Sequence, residues 1–287
     1  MDVLILGAGF LGTILSSALI SNGHDVTLFN KATLDYTDQN TLFDYIKYSN
    51  FGLVINASGY TGRPNIDACE DDKDNCWKYN VEVPAKIMRV CNKFNLGMVH
   101  LSSGCIYAGY DREYTESDIP NFGLFNEESS FYSKTKHAAE TILQDNDAWI
   151  FRIRMPFSGE VVDRNYFNKI LKYDSLISEY NSMTCVEDLC DFVNKFILKK
   201  DQVPYGIYNV VNCGYVSAKE IVKMLRERDV MNPYHHFIST DKLKTKAKRS
   251  NCIISTNKIQ SYDLTLPYVK LSLEKCIDRY AASVLEL

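Results

Sequence analysis

Short, uninterrupted apolar runs alternate with stretches of helical periodicity through the first half of the chain. Residues 2–6 (Asp-Val-Leu-Ile-Leu) lead straight into Gly7-Ala-Gly9-Phe10-Leu11-Gly12. Apolar positions then recur at helical spacing to Ser21, where Asn22-Gly23 stops them. Further apolar runs occupy 26–29, 52–57, 98–102 and 149–154, the last ended by Pro156, and helical patterns fill 41–48, 74–94 and 130–143. Apolar runs too short for helices and lacking polar alternation predict strands buried on both faces.

This rhythm predicts an α/β fold, a doubly wound parallel sheet of the Rossmann type. After Pro156 it changes. Helices are expected over 164–172, 186–198 and 217–228, the last opened by the capping box Ser217-x-x-Glu220, and a strand over 206–211. The remainder, rich in Lys, Asn and Tyr, is expected to be irregular. The predicted division is a nucleotide-binding domain over 1–157, with 184–212 returning to it, and a smaller C-terminal substrate-binding lobe from 158–183 and 213–287. That lobe should close over the C-terminal edge of the sheet, where open α/β sheets place ligands.

At 287 residues, 46% of them hydrophobic, the chain can bury a large core. Its 32 basic against 36 acidic side chains call for neither a nucleic-acid nor a membrane partner. The basic run 242–249 is a solvated face or supplies a single phosphate contact. Nine cysteines without a CxxC pair argue against disulfides and a metal site and for a reducing compartment. No apolar run reaches the ~18 residues of a membrane helix. With a strand starting at Asp2 no signal peptide is expected, and the expected location is the cytoplasm.

The glycine turn lies between a predicted strand and a predicted helix, the context that makes GxGxxG a dinucleotide fingerprint. Gly7 makes the turn, Gly9 admits a pyrophosphate, and Gly12 lets helix and strand close up, with Phe10 and Leu11 in the first helical turn. The second strand ends in Phe29-Asn30-Lys31, neutral then cationic, where an acid would hold the ribose of NAD. Asn30 and Lys31 thus favour NADP(H), with NAD(H) as a weaker substitute. Ala57, Ser58, Gly59 and Tyr60 should border the cofactor, as should Met155. Asn80 on its own reads as a core amide.

Tyr132 and Lys136 stand one helical turn apart on a shared face. The ammonium is expected to favour the phenolate and lower a pKa that starts near ~10, so that the phenol can exchange a proton with a sugar or alcohol oxygen. Ser103, in Leu101-Ser-Ser-Gly-Cys105-Ile-Tyr107 at the end of the fourth strand, can bind the same carbonyl oxygen. Cys105 can project into the same pocket. His100, Cys69, Cys76 and Cys91 are expected to be packing residues.

Ser103, Tyr132 and Lys136 in this order resemble the extended short-chain dehydrogenase/reductases, and the resemblance implies, on equal terms with the core-amide reading, that Asn80 borders the nicotinamide side. Thr61-Gly-Arg63-Pro-Asn65, Ser103–Tyr107, Phe131–Lys136, Arg152-Ile-Arg-Met-Pro156, Asn168–Ile170, Asn181-Ser182-Met183-Thr184 and Arg249-Ser-Asn251 resemble a narrower family, the UDP-4-keto-6-deoxy-glucose 3,5-epimerase/4-reductases. The resemblance implies formation of UDP-L-rhamnose, with Cys105 and Lys169 as the epimerisation acid/base pair. It further implies Arg249 at the pyrophosphate, Arg63 and Asn65 at the sugar or phosphate, and Asn181, Ser182 and Met183 along the nucleotide. An upstream UDP-glucose 4,6-dehydratase would be the pathway partner, and a homodimer through paired helices is compatible with the superfamily. The related dTDP-4-keto-rhamnose reductases lack the epimerising pair, and GDP-fucose-synthase-like enzymes carry histidine in place of Lys169. An NADP-sensing binding protein would normally have lost the Tyr132–Lys136 pair.

Overall fold

The computed structural model describes residues 1–230 and 235–285. The first half runs β1 (Asp2–Leu6), α1 (Phe10–Ser21), β2 (Asp25–Phe29), α2 (Gln39–Lys47), β3 (Leu53–Asn56), α3 (Ala68–Asp71), α4 (Lys73–Trp77), a π-helical turn (Lys78–Glu82), α5 (Val83–Lys93), β4 (Met98–Ser103), β5 (Gly109–Tyr114), α6 (Phe131–Leu143) and β6 (Ala148–Ile153). The second half runs α7 (Tyr166–Lys172), β7 (Ser175–Ile177), β8 (Tyr180–Asn181), α8 (Val186–Lys199), β9 (Gly206–Asn209), β10 (Val216–Ser217), α9 (Ala218–Arg226), β11 (His236–Ile238), β12 (Cys252–Ile254), α10 (Asn257–Gln260) and α11 (Val269–Leu285).

Six strands form one parallel sheet in the order β2-β1-β3-β4-β6-β9. The chain steps from β1 outward to β2, then crosses back to lay β3 on the other side of β1. The switch point therefore opens a crevice at the carboxyl ends of β1 and β3. Period-two geometry explains the unbroken apolar runs. Val3, Ile5, Leu53, Ile55, Val99 and Phe151 face a core with Leu15, Leu19, Val193 and Phe196 of α1 and α8. Leu4, Leu6, Val54, Met98 and Ile150 face the opposite core, with Leu42, Ile87 and Leu143 of α2, α5 and α6.

Phe157, Phe167, Met183, Ile221, Leu225, Leu273 and Ile277 form a separate core between α7, α9 and α11. Within it Cys185 and Cys276 bring their sulfurs to 3.5 Å, and Glu187 accepts from Cys185 at 3.3 Å. Ile259, Leu264 and Leu266, near the end of the chain, instead pack into the α1/α8 side of the main sheet. The expected capping box is formed: Glu220 N donates to Ser217 Oγ at 3.3 Å and Ser217 N to Glu220 Oε2 at 2.9 Å. A cap of this kind contributes about 1 kcal/mol. Among the described residues no helix is long and apolar enough to cross a membrane.

Three segments depart from the expected elements. The 74–94 helix is broken by the π-helical turn, which turns Asn80 inward and buries it completely. The segment after Gly109, to which the pattern assigned no element, begins with β5, which pairs in parallel with β12. The supposedly irregular terminal region carries α11, whose buried positions 269, 272, 273, 276, 277, 280 and 281 follow helical spacing.

Beneath the carboxyl end of the sheet lies a buried ion pair. Glu140 of α6 receives Arg152 Nη2 at 2.7 Å and Nε at 3.0 Å, and both side chains are 2% exposed. Ser102 Oγ donates to the same carboxylate at 2.5 Å, and Arg152 Nη1 donates to Tyr107 Oη at 3.0 Å. Glu140→Gln leaves the guanidinium buried without a counter-charge and should cost roughly 3–5 kcal/mol in urea unfolding. The Glu140→Gln/Arg152→Met double variant should lose less than the sum of the two single changes.

Candidate active site

The glycine turn is built by contacts only glycine allows. Gly7 has φ +112°, and a Cβ there would lie 2.6 Å from Ser58 N; a Cβ on Gly12 would lie 2.0 Å from Gly7 O. Gly9 differs: a Cβ would meet no atom of the chain within 4 Å. It is exposed and caps α1, whose first-turn amides carry the positive end of the helix dipole. A cradle held rigid from behind and open in front fits a dinucleotide pyrophosphate. Phe10 and Leu11 pack their side chains against the α1/α8 core, so they serve the cradle through their backbone.

Around it, Asn30 Oδ1 accepts from Ala32 N at 2.8 Å and Thr33 N at 2.9 Å and shapes the loop after β2. Lys31 Nζ donates to Tyr79 Oη at 3.1 Å, which raises its pKa. After Ala57, Ser58 Oγ donates to Asn56 Oδ1 at 2.6 Å, and Gly59 is exposed. Tyr60 donates to Asp72 at 2.6 Å, which pushes the phenol up to about 12. Asn80 Oδ1 accepts from Tyr60 N at 2.7 Å, while its amide donates to Tyr60 O and to Thr135 Oγ1 at 2.8 and 3.0 Å. The residue thus ties the cofactor loop to α6, and the π-helical turn is what aims it there. Met155 has φ +39° and packs toward the smaller core.

Ser103, Cys105, Tyr132 and Lys136 come together at the ends of β4 and α6. Ser130 caps α6, accepting from Ser133 N at 3.1 Å, and Ser133 Oγ donates to Cys105 O at 2.6 Å. Ser103 stands within hydrogen-bonding reach of the Tyr132 phenol, and Cys105 is close enough to affect its charge. Lys136 Nζ lies 5.9 Å from the centre of the Tyr132 ring and 3.5 Å from where a Gly59 Cβ would be. Burial overturns the expected electrostatics. Desolvation raises the Tyr132 pKa, assisted by Cys105 and only partly opposed by Ser103, and desolvation lowers Lys136 despite Glu140. Burial prevails over the neighbouring ammonium, so Tyr132 is held as the protonated acid. His100 is fully buried against Asn56 at 3.1 Å, as expected of a packing residue, and burial keeps it neutral.

Lys169 sits on α7 across from this group. Burial lowers its pKa, Arg164 lowers it further, and Cys105 pulls it upward, so amine and thiol share one electrostatic neighbourhood. Arg164 is anchored by donation to Thr61 Oγ1 at 2.8 Å. Arg63 is exposed, and Asn65 Nδ2 reaches Tyr173 Oη at 3.4 Å. Arg249 forks onto Asp67 at 2.8 and 3.2 Å. Burial works against that carboxylate, but Arg249 and the Ala247 amide outweigh it and hold its pKa low. Asn181 Nδ2 donates to Asn251 Oδ1 at 3.0 Å. Ser182 and Met183 stand apart from the expected nucleotide contacts. Ser182 is fully buried with its hydroxyl accepting from Ile254 N at 3.0 Å, and Met183 is 1% exposed in the smaller core. Their side chains hold the segment rather than line a cleft.

Sequence reasoning gave no role to Glu140 and Arg164, and it named Ser133, Thr135 and Arg152 only as members of matching segments. Glu140 alone carried a signal, since it follows Tyr132 and Lys136 at the same four-residue spacing.

A family profile described as RmlD substrate binding domain matches residues 1–282. A trifunctional UDP-glucose 4,6-dehydratase/UDP-4-keto-6-deoxy-D-glucose 3,5-epimerase/UDP-4-keto-L-rhamnose-reductase of Arabidopsis thaliana is 32% identical over 289 residues, 96% of this chain but 41% of that protein. A bifunctional dTDP-4-dehydrorhamnose 3,5-epimerase/dTDP-4-dehydrorhamnose reductase of the same plant is 32% identical over 78% of this chain and 75% of its own length. The crystal structure of the L780 UDP-rhamnose synthase from Acanthamoeba polyphaga mimivirus superposes with a TM-score of 0.85 at 26% identity, covering 97% of this chain and 99% of that one.

The two glycines should separate experimentally. Gly12→Ala collides with backbone and should destabilise the fold by about 1–3 kcal/mol in urea unfolding. Gly9→Ala should unfold as the parent does, yet lose dinucleotide affinity in fluorescence titration.

Proposed function

We propose that this chain, which belongs to the RmlD substrate binding domain family, inverts C3 and C5 of UDP-4-keto-6-deoxy-D-glucose and then reduces its C4 ketone with NADPH, giving UDP-L-rhamnose. The observation that carries this reading is the meeting of two sets of groups. Ser103 and the protonated Tyr132 are paired for one oxygen, and beside them the Cys105 thiol shares its electrostatic neighbourhood with the Lys169 amine. The names of the plant and viral relatives support it.

A C4 ketone acidifies the protons on C3 and C5. Cys105 and Lys169 serve as the acid/base pair that removes and returns them, while Ser103 and Tyr132 donate to the C4 oxygen and hold the enolate charge. The cradle around Gly9, the Ser58–Tyr60 loop and Lys136 would hold the cofactor, and Lys31 would face a 2′-phosphate. Bound NADPH supplies a hydride to C4. Tyr132, kept protonated by burial, delivers the proton to the resulting alkoxide, so one pair of donors serves both steps. Arg249 is proposed to meet the diphosphate, and Arg63 and Asn65 the sugar or phosphate.

Incubation with UDP-4-keto-6-deoxy-D-glucose and NADPH in deuterated water tests this, with products read by NMR. Deuterium at C3 and C5 of a rhamnose product is expected, and an unexchanged 6-deoxyhexose would reduce the activity to carbonyl reduction. Tyr132→Phe should slow reduction by about 10²–10⁴-fold. Cys105→Ala should abolish exchange yet still reduce a keto sugar supplied already inverted. Exchange should rise with pH as Lys169 loses its proton. Arg164→Gln, which removes a like charge, should move that rise to higher pH.

A further inference from the structure

Two arginines leave β6 on the same face and are treated differently. Arg152 has the Glu140 carboxylate. Arg154, 1% exposed, has no carboxylate partner among the described residues, and its Nε makes no hydrogen bond. Its other nitrogens reach only neutral acceptors. Nη1 donates to Gly104 O at 2.8 Å and Ser250 Oγ at 3.0 Å, and Nη2 donates to Ser250 O at 3.1 Å and to Asn181 Oδ1. A buried cation without a counter-charge is costly, and nothing in the packing alone calls for a charge here. The partners belong to three segments distant in sequence: the turn after β4, β8, and the approach to β12. Each of them also carries a residue of the candidate site.

We infer that Arg154 is a positioning residue that fixes the Gly104–Cys105 peptide, and through it sets the Cys105 thiol relative to the Ser103 hydroxyl. The carbonyl of that peptide receives Arg154. Its N–H, on Cys105, donates to Ser103 Oγ at 3.2 Å. A cation on the carbonyl polarises the amide and strengthens the donation from its N–H. With that Ser103 lone pair occupied, the serine proton is left to point toward the Tyr132 side. Gly104 must be glycine for this contact, since a Cβ would lie 2.9 Å from Arg154 Cγ. Ser103 is also held by the β4–β6 ladder, whereas Cys105 lies beyond it, tied besides by Ser133 Oγ on its own carbonyl at 2.6 Å and by the longer Tyr107 N–H contact to Gly104 O at 3.4 Å. Loss of Arg154 therefore acts more on Cys105 than on Ser103.

The inference rests on the epimerase/reductase reading and is tested by two assays on the full chain. Deuterium exchange at C3 and C5 reports Cys105, and kcat for NADPH reduction of an already inverted 4-keto-6-deoxy nucleotide sugar reports Ser103 and Tyr132. Arg154→Gln should lower exchange by about 100-fold, the effect of a displacement near 1 Å, while reduction falls less than about tenfold and NADPH affinity is unchanged. Arg154→Lys should recover part of the exchange. Should Arg154→Gln fail to fold, Ser250→Ala, which removes one of the four acceptor contacts, should give a smaller change with the same bias toward exchange. Equal losses in both assays, or undiminished exchange, would overturn the inference. A parent protein that reduces but never exchanges would instead overturn the epimerase reading, and the Arg154 assignment to Cys105 with it.

Discussion

The site depends on the carboxylate of Glu140. Tyr132, Lys136 and Glu140 follow one another at four-residue intervals along α6, so locking the last of them sets the rotation and depth of the other two. Glu140 is locked from two strands at once, by Ser102 of β4 and Arg152 of β6. Ser102 immediately precedes Ser103, and Arg152 stands two residues before Arg154. One buried charge pair thus registers the helix that carries the phenol against the strands that carry the hydroxyl and lead into the thiol and the second guanidinium. It is also satisfied on nearly every side, which is what makes a buried pair tolerable.

Desolvation sets the chemistry of the groups registered this way. Water exclusion holds Tyr132 protonated and pushes Lys136 toward its neutral form, reversing what two isolated neighbours on a helix would do. For a site proposed to reduce a ketone, the reversal is favourable, because the phenol must arrive carrying its proton. The same force acts on Lys169, where burial and Arg164 both ease loss of the proton. Acid and base are distinguished by charge type under one common burial: desolvation raises a phenol and lowers an amine.

Most of the sheet was legible because β1, β3, β4 and β6 are apolar on both faces, with glycine following β1 and β4 and Pro156 soon after β6, and the glycine turn announced its own crevice. What escaped has identifiable causes. The interrupted 74–94 helix keeps its apolar periodicity, so nothing in the pattern marks the π-helical turn that swings Asn80 inward. The last helix hides because Ser272 and Cys276 occupy buried positions that a hydrophobicity pattern leaves blank. Ser103, Tyr132 and Lys136 were readable from spacing, and Cys105 in part. Lys169 was not, since a lysine on a short helix carries no local mark, and only likeness to a family drew it out. Ser182 and Met183 were expected along a nucleotide, but sequence does not say which way a side chain turns, and these turn inward.

The clasp between Arg249 and Asp67 bears on the diphosphate contact proposed at Arg249. A nucleotide whose phosphates dock at Arg249 meets a guanidinium already engaged by a carboxylate, so its affinity reflects a difference between two anions rather than the attraction of a free cation. Weakly charged compounds gain little from such an exchange, and a doubly charged diphosphate gains most. The segment from 246 to 252 is fastened to residues 67 and 71 by the same kind of contact. Swapping anions there, as the proposed contact requires, would release one of the ion pairs on that segment, so affinity for the diphosphate and the hold on residues 246–252 draw on the same carboxylate.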